Sequence, residues 1–183
     1  MIDLRKRNLP NTICVNGGFF SIKTDFREWL KFGELIKNKD IELKEFFYLF
    51  KNEIPSQNPS NELLEFYSNQ NVTPKKSESD DGKKVFDYIL DGEYLVGSFW
   101  NAYGIDLTTI EELHWHTFQA LFRSLPEDSK IMQIISRRAY KKTNKSMDSQ
   151  LQEAKEIWSF PVDREMSDEE LQKELMEEFY GAI

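Results

Sequence analysis

The 183-residue chain has one cysteine, Cys14. An internal disulfide framework and a cysteine-cluster metal site are therefore excluded. Long apolar runs are missing too. The longest lies near Tyr94 to Trp100, far short of the ~20 residues a membrane helix needs. Nothing apolar follows the charged start Met1-Ile-Asp-Leu-Arg-Lys-Arg-Asn8, so no signal peptide is expected. Positive charge is in deficit, with 24 basic against 32 acidic residues and a net −8. A uniformly acidic chain repels phosphates, which argues against general attraction to nucleic acid. No repeat with a period of roughly 20–50 residues is evident. Aromatic and apolar residues are plentiful by contrast. Hydrophobic residues make up 39% of the chain and phenylalanine contributes 14, too much for a wholly disordered protein. A chain of this length buries roughly 70% of its unfolded surface without staples. The expectation is an acidic cytoplasmic protein of one domain, or one domain with an appendage.

The clearest local signal is Asn16-Gly17 between Thr12–Val15 and Gly18–Ile22. A type I′ turn needs positive φ at both central residues, so this pair predicts a hairpin with Val15 opposite Gly18 and Ile13 opposite Phe20. Side chains alternate along strands. Ile13, Val15, Phe20 and Ile22 should then share the packing face, with Cys14 and Phe19 on the other. Asp25, followed by Glu28, should cap a helix over about 25–37 carrying Phe26, Trp29, Leu30, Gly33 and Ile36. A second helix is expected over Ile41–Phe50, with aromatics on more than one face. A third should be capped by Ser60, with Leu63, Leu64 and Tyr67 apolar.

Residues 71–84 are polar, mixed in charge and rich in turn formers, which predicts a linker or loop. Beyond it, Asp91 should cap a helix stapled by Leu90 and Leu95, with a stripe of Leu95, Val96, Phe99, Trp100 and Tyr103 ending at Gly104. Thr108 to Glu111 reads as a capping box opening a helix to about Ser124. Pro126 fits the first position of the next helix, with Ile131, Ile134 and Ile135 as its buried side. A further helix is expected over about 148–158, closed by Pro161. Residues 162–183 hold eight acidic and two basic residues, so −6 of the −8 falls there. They read as an acidic amphipathic helix with a stripe of Leu171, Leu175 and Phe179. The units are thus 1–70, the linker 71–84, 85–161 and the tail 162–183.

No catalytic constellation emerges. His114 and His116, read on one helix, lie two positions apart and point to opposite sides, so they do not chelate one ion. Cys14 sits mid-strand with no nearby base. Asn16-Gly17-Gly18 lacks the lysine and following helix of a phosphate loop. The pairs Asp80-Asp81 and Glu177-Glu178 fall in solvated segments. The stretch from Asp128 to Asp148 is different: it has Lys130, Arg137, Arg138, Lys141, Lys142 and Lys145 and no acidic residue between its ends. A solvated face is the plain reading, an acidic partner or another copy's acidic tail the second, and nucleic acid the third. The aromatics Trp100, Tyr103, Trp115 and Phe118 around Gly104, and those of 46–50, exceed one face and suggest an exposed interface.

Several blocks, in order, resemble a known family. They are Ile22-Lys-Thr-Asp-Phe-Arg27 after the hairpin, Phe86-Asp-Tyr and Asp91-Gly-Glu-Tyr-Leu95 after the linker, and Ala102-Tyr-Gly-Ile-Asp-Leu107. The strongest is Leu113-His-Trp-His-Thr-Phe118, running through Ala120-Leu-Phe and Leu125-Pro-Glu-Asp-Ser129 to Ile134, Ile135 and Arg137. Over about residues 10–160 the chain is similar to the siphophage family catalogued as bacteriophage gene product fifteen, from phages and prophages of Gram-positive hosts. The resemblance implies a tail-assembly chaperone: mostly helical, self-associating, without catalytic residues or cofactor. Its implied partners are the tape measure protein and the tail tube protein. Its implied place is the host cytoplasm, and it is absent from the mature virion. The tail after Pro161 lies outside the resemblance.

The expected fold is mainly α (α+β by strict count), an N-terminal β-hairpin followed by a multi-helix bundle and an acidic C-terminal helix. The expected function is non-catalytic, with no metal, no nucleic acid and no membrane involved. Partner contacts are assigned to Trp100, Tyr103, Trp115, Phe118, Arg137, Arg138, Lys141 and Lys142, and homo-oligomer contacts to Leu171, Leu175 and Phe179. One alternative is a small regulatory protein binding an acidic partner through Arg137, Arg138, Lys141 and Lys142. A second is an enzyme whose site is assembled across the fold.

Overall fold

The computed structural model describes residues 5, 7–38, 41–68, 84–140 and 148–160. Residues 71–83 of the 71–84 linker, Pro161 and the tail 162–183 lie outside the described residues, as do Lys141, Lys142, Lys145, Leu171, Leu175 and Phe179. Strands β1 (Thr12–Val15) and β2 (Gly18–Ser21) form an antiparallel hairpin in the expected register, Ile13 opposite Phe20 and Val15 opposite Gly18. Asn16 and Gly17 both have positive φ, 47° and 83°, as the type I′ turn demands. Ile13, Val15 and Ile22 are buried, and Phe20 meets Phe50 edge-on at 6.4 Å. Cys14 and Phe19 face out, Phe19 with 78% of its surface exposed.

Six α-helices and one 3-10 helix follow among the described residues: α1 (Phe26–Leu35), the 3-10 helix Leu43–Leu49, α2 (Ser60–Ser68), α3 (Gly92–Tyr103), α4 (Trp115–Arg123), α5 (Lys130–Arg138) and α6 (Asp148–Ile157). The chain is mainly α with a small β element. Asp25 caps α1 by accepting from the Arg27 amide at 3.1 Å, while Glu28 pairs with Lys23 rather than closing a capping box. Gly104 ends α3 in the left-handed region, φ 66°, and donates to the Trp100 carbonyl at 2.8 Å.

Five local expectations are corrected. The 41–50 segment winds as a 3-10 helix. At three residues per turn Phe46 and Leu49 eclipse on one side, and both are buried. Asn58, not Ser60, accepts at the start of α2, and Leu64 is 43% exposed. The Thr108–Glu111 box opens no helix. Asp106 accepts from the Thr108 amide to form a turn there, and α4 starts at Trp115 with His114 as its N-cap. Pro126 begins a turn closed by Ser129 N–H to the Pro126 carbonyl, and α5 starts at Lys130, with the Ile131 amide donating to Ser98 of α3. Leu90 is 57% exposed and staples nothing, and the Asp91 carboxylate makes no cap bond.

The N-termini of α1 and α4 are joined by an antiparallel bridge, Asp25 to His114. Phe26 N–H donates to the Leu113 carbonyl at 2.9 Å and Trp115 N–H to the Thr24 carbonyl at 2.7 Å. The second Asp25 oxygen accepts from the Leu113 amide, and Arg27 reaches the carbonyls of Leu107 and Ile110. One polar seam therefore fixes both helices and leaves their apolar faces to meet. Phe118 sits at the centre, 0% exposed, stacked on Phe26 at 4.8 Å, Phe99 at 5.4 Å and Trp115 at 5.8 Å. Trp115 continues the stack to Tyr67 at 5.2 Å, and Trp29 to Phe66 at 4.5 Å. Ring pairs like these add about 0.5–1.5 kcal/mol each beyond burial. The aromatic surplus is thus largely consumed inside.

Candidate interaction surfaces

The expected partner-contact residues separate into three groups. Trp115 and Phe118 are core residues, 1% and 0% exposed, so the interface assigned to them is corrected. The Trp115 indole donates to the Tyr67 carbonyl at 2.9 Å, joined there by the Gln119 amide at 3.0 Å. With His116, these α4 side chains satisfy the last carbonyls of α2, which a helix end leaves unpaired. Tyr103 is half-buried and donates its hydroxyl to the Leu121 carbonyl at 2.8 Å. Trp100 alone of the four stands in solvent, at 58% exposure.

The basic pair is committed inward. Arg138 bonds the Asp91 carboxylate at 2.6 Å, with side chains only 9% and 1% exposed. The same guanidinium reaches the carbonyls of Trp158 and Val85 and lies 3.9 Å from the centre of the Phe160 ring. Arg137 and Lys130 lie over the Trp158 ring at 5.6 and 4.6 Å. These cations clasp the end of α6, so the contact expected of Arg138 with an outside acidic partner is corrected: its charge is already answered by Asp91. A cleft of about 280 Å³ beside them is lined by Lys84, Arg138, Lys155, Glu156 and Phe160. Lys84 there pairs with Asp87 and Lys155 donates to the Tyr140 carbonyl.

The histidines build structure rather than a flank. His114 Nε2 donates to the Pro10 carbonyl at 2.9 Å, which leaves Nδ1 to accept from the His116 amide at 3.1 Å. His116 is 2% exposed, donates from Nε2 to the Phe66 carbonyl at 2.9 Å and stacks on the Phe66 ring at 4.4 Å. Its Nδ1 is buried with no partner among the described residues. Burial first, and the nearby His114, push its pKa down to about 4. Burial likewise lowers His114 against the opposing pull of Pro10 and Glu112. Both rings are neutral at pH 7. Among the described residues no group of three or more His, Cys, Asp or Glu side chains is placed to hold a metal.

Among the exposed apolar side chains, Phe19 lies on the hairpin face that the sequence left unpacked, whereas Ile89 and Leu90 escaped the sequence reading. Phe19 stands beside Cys14 on the open hairpin face. Ile89 and Leu90, 73% and 57% exposed, tip a rigid turn. Asp87 Oδ1 accepts from both their amides, at 2.7 and 3.0 Å, and Asp91 Oδ2 accepts from the Asp87 amide at 2.9 Å. The Asp87 to Asp91 spacing was the available sign, since aspartate side chains bond their own backbone two residues on. Burial opposes ionisation of Asp87, but Lys84 and the two amides hold its pKa below the usual carboxylate range.

Taken together these features define a mainly α protein with an aromatic core and a few rigidly held apolar outliers. Residues 6–160 match the Bacteriophage Gp15 protein family, and the chain belongs to it. It is a phage protein of a family not known for enzymes. No curated protein and no solved structure matches the chain. No helix of the described residues is long and apolar enough to cross a membrane.

Proposed function

We propose that this chain is a non-catalytic tail-morphogenesis protein that holds an apolar helical partner, the tape measure protein, in the host cytoplasm and helps recruit tail tube subunits. On this reading it leaves before the virion matures. The observation that carries the reading is Phe19. A large aromatic is 78% exposed on a two-residue hairpin whose other face is anchored by Ile13, Val15 and Ile22. An aromatic on a stiff support meets an apolar helix with little ordering cost. The net charge of −8 supports the same reading by keeping the complex dispersed. The capture of Trp115, Phe118 and Arg138 inside the fold leaves the exposed outliers as the holding surface.

The test is co-expression with the tape measure protein and measurement of its soluble fraction. Wild-type chain should raise that fraction. Phe19→Ser should lower the rescue at least several-fold while thermal unfolding stays unchanged, because Phe19 makes little core contact. A Phe19→Ser chain that rescues as well as wild type refutes the assignment.

A further inference from the structure

The cleft beside α6 is lined by three cations, Lys84, Arg138 and Lys155, against one acid, Glu156. Two of the cations meet over one ring: the Arg138 guanidinium lies 3.9 Å and the Lys84 ammonium 6.0 Å from the centre of Phe160. Their counter-ions, Asp91 and Asp87, are not among the lining residues, and both carboxylates also accept amides of the 87–91 turn. A guanidinium has five N–H donors. Arg138 gives Nε to the Trp158 carbonyl and Nη1 to Val85 and Asp91. Its Nη2 has no partner among the described residues, although the side chain is only 9% exposed. The Asp91 pair thus answers the charge of Arg138 and leaves two donors unmet. A largely buried guanidinium nitrogen beside ammonium groups is matched by a carboxylate, which only accepts.

We infer that this carboxylate is the chain's own: Asp163 and Glu165 close over the cleft, one on Arg138 Nη2 and the other on Lys84. Phe160 is both a wall of the cleft and the residue before Pro161. Proline keeps its predecessor out of the helical region, so α6 does not run on past it. Asp163 follows Phe160 by three residues, a reach of about 10 Å in an extended chain, and both cations lie well within that distance of the ring. Residues two apart in an extended run share a side, which turns Asp163 and Glu165 to the cleft and Arg164 away from it. The signs agree over a longer stretch too, since residues 162–183 carry −6. Tethering presents these carboxylates at an effective concentration on the order of millimolar, an advantage that an acidic segment of another molecule lacks. Closed in this way, the segment straps the end of α6 to the 84–91 turn and covers the open side of Arg138. The family match ends at residue 160, so the strap is carried outside the matched fold. It does not depend on the tape-measure reading, which rests on the hairpin.

A carbodiimide, which joins an ammonium to a carboxylate in contact with it, tests the strap on an equal mixture of ordinary and nitrogen-15-labelled full chain. Peptide mapping should find Lys84 joined to Asp163 or Glu165, with both halves of each link carrying the same isotope. These residues are about 80 positions apart, so closeness along the chain does not supply the link. An arginine-specific protease gives a second measure. It should cut after Arg164 at least fivefold faster in Lys84→Met than in wild type, with the cut after the exposed Arg7 as internal reference. Lys84→Arg keeps the charge and should restore the protection, and salt at about 0.5 M should remove it from wild type. Four results overturn the inference. They are carbodiimide links from Lys84 to Asp87 alone, links that mix isotopes and so place the segment on a second copy, cleavage at Arg164 that Lys84→Met leaves unchanged, or saturable binding of acetate to the wild-type cleft, which a strapped cleft does not admit.

Discussion

Acidification should weaken this fold through His116 before most carboxylates titrate. The ring is buried, donates from Nε2 to the Phe66 carbonyl, and turns a bare Nδ1 into the interior. A proton there would be a buried charge and an unpaired donor. Its pKa falls from 6.5 to about 4, while the unfolded chain keeps the ordinary value. The unfolded chain therefore takes up the proton first. Stability is full above about pH 6.5 and is lost as pH falls toward 4. One pKa unit is worth about 1.4 kcal/mol, so roughly 1.5 units of this window, crossed by pH 5, cost about 2 kcal/mol. With a urea m-value near 2 kcal/mol/M, the midpoint should move down by about 1 M between pH 7.5 and pH 5. Tryptophan fluorescence reports it, since Trp29 and Trp115 are both buried. His116→Asn keeps an N–H to donate but binds no proton. It should lose most of the pH dependence and leave only what His114 supplies. If His116→Asn weakens between the two pH values as much as wild type, the assignment of the acid sensitivity to this ring is wrong.

Three further outcomes are expected. Arg138→Met should destabilise by about 3–5 kcal/mol by stranding Asp91 in the interior, and the double variant Asp91→Leu/Arg138→Met should recover part of that loss in the same urea titration. Gly33→Ala would push a methyl into the Tyr67 hydroxyl, which the stack on Trp115 holds in place. It should lower stability by about 1–3 kcal/mol. Gly97→Ala, also helical but opening onto free space, should raise stability by up to about 1 kcal/mol in a melting experiment.

Local grammar carried the sequence reading where one residue type meets one backbone need. Asn16-Gly17 set the hairpin register, Gly104 the left-handed cap, and Asp25 the start of α1. It failed where a distant group supplied the bond. Thr108 and Glu111 spell a capping box, but Asp106 takes the Thr108 amide for a turn, and the cap of α4 is a histidine whose ring is oriented by Pro10, 104 positions away. Arg138 looked like part of a basic stretch because its counter-charge, Asp91, lies 47 positions back. The aromatics of 115–118 looked surplus to one helix face because their partners, Tyr67, Phe26 and Phe99, come from three other helices. Periodicity records which way a side chain points along its own helix and says nothing of how many neighbours wait there.

The seam between Asp25 and His114 has a consequence for synthesis. The two residues are 89 positions apart, so at about 5–20 residues per second the ribosome delivers His114 roughly 4–18 s after Asp25. During that interval the Thr24 carbonyl and the Phe26 amide have no seam partner, and Phe26 and Trp29 have no α4 to pack against. The nascent amino-terminal half is thus itself an exposed apolar client for several seconds. A chain released before Leu113 should aggregate, and one released after Phe160, with α4, α5 and the Arg138–Asp91 pair in place, should not.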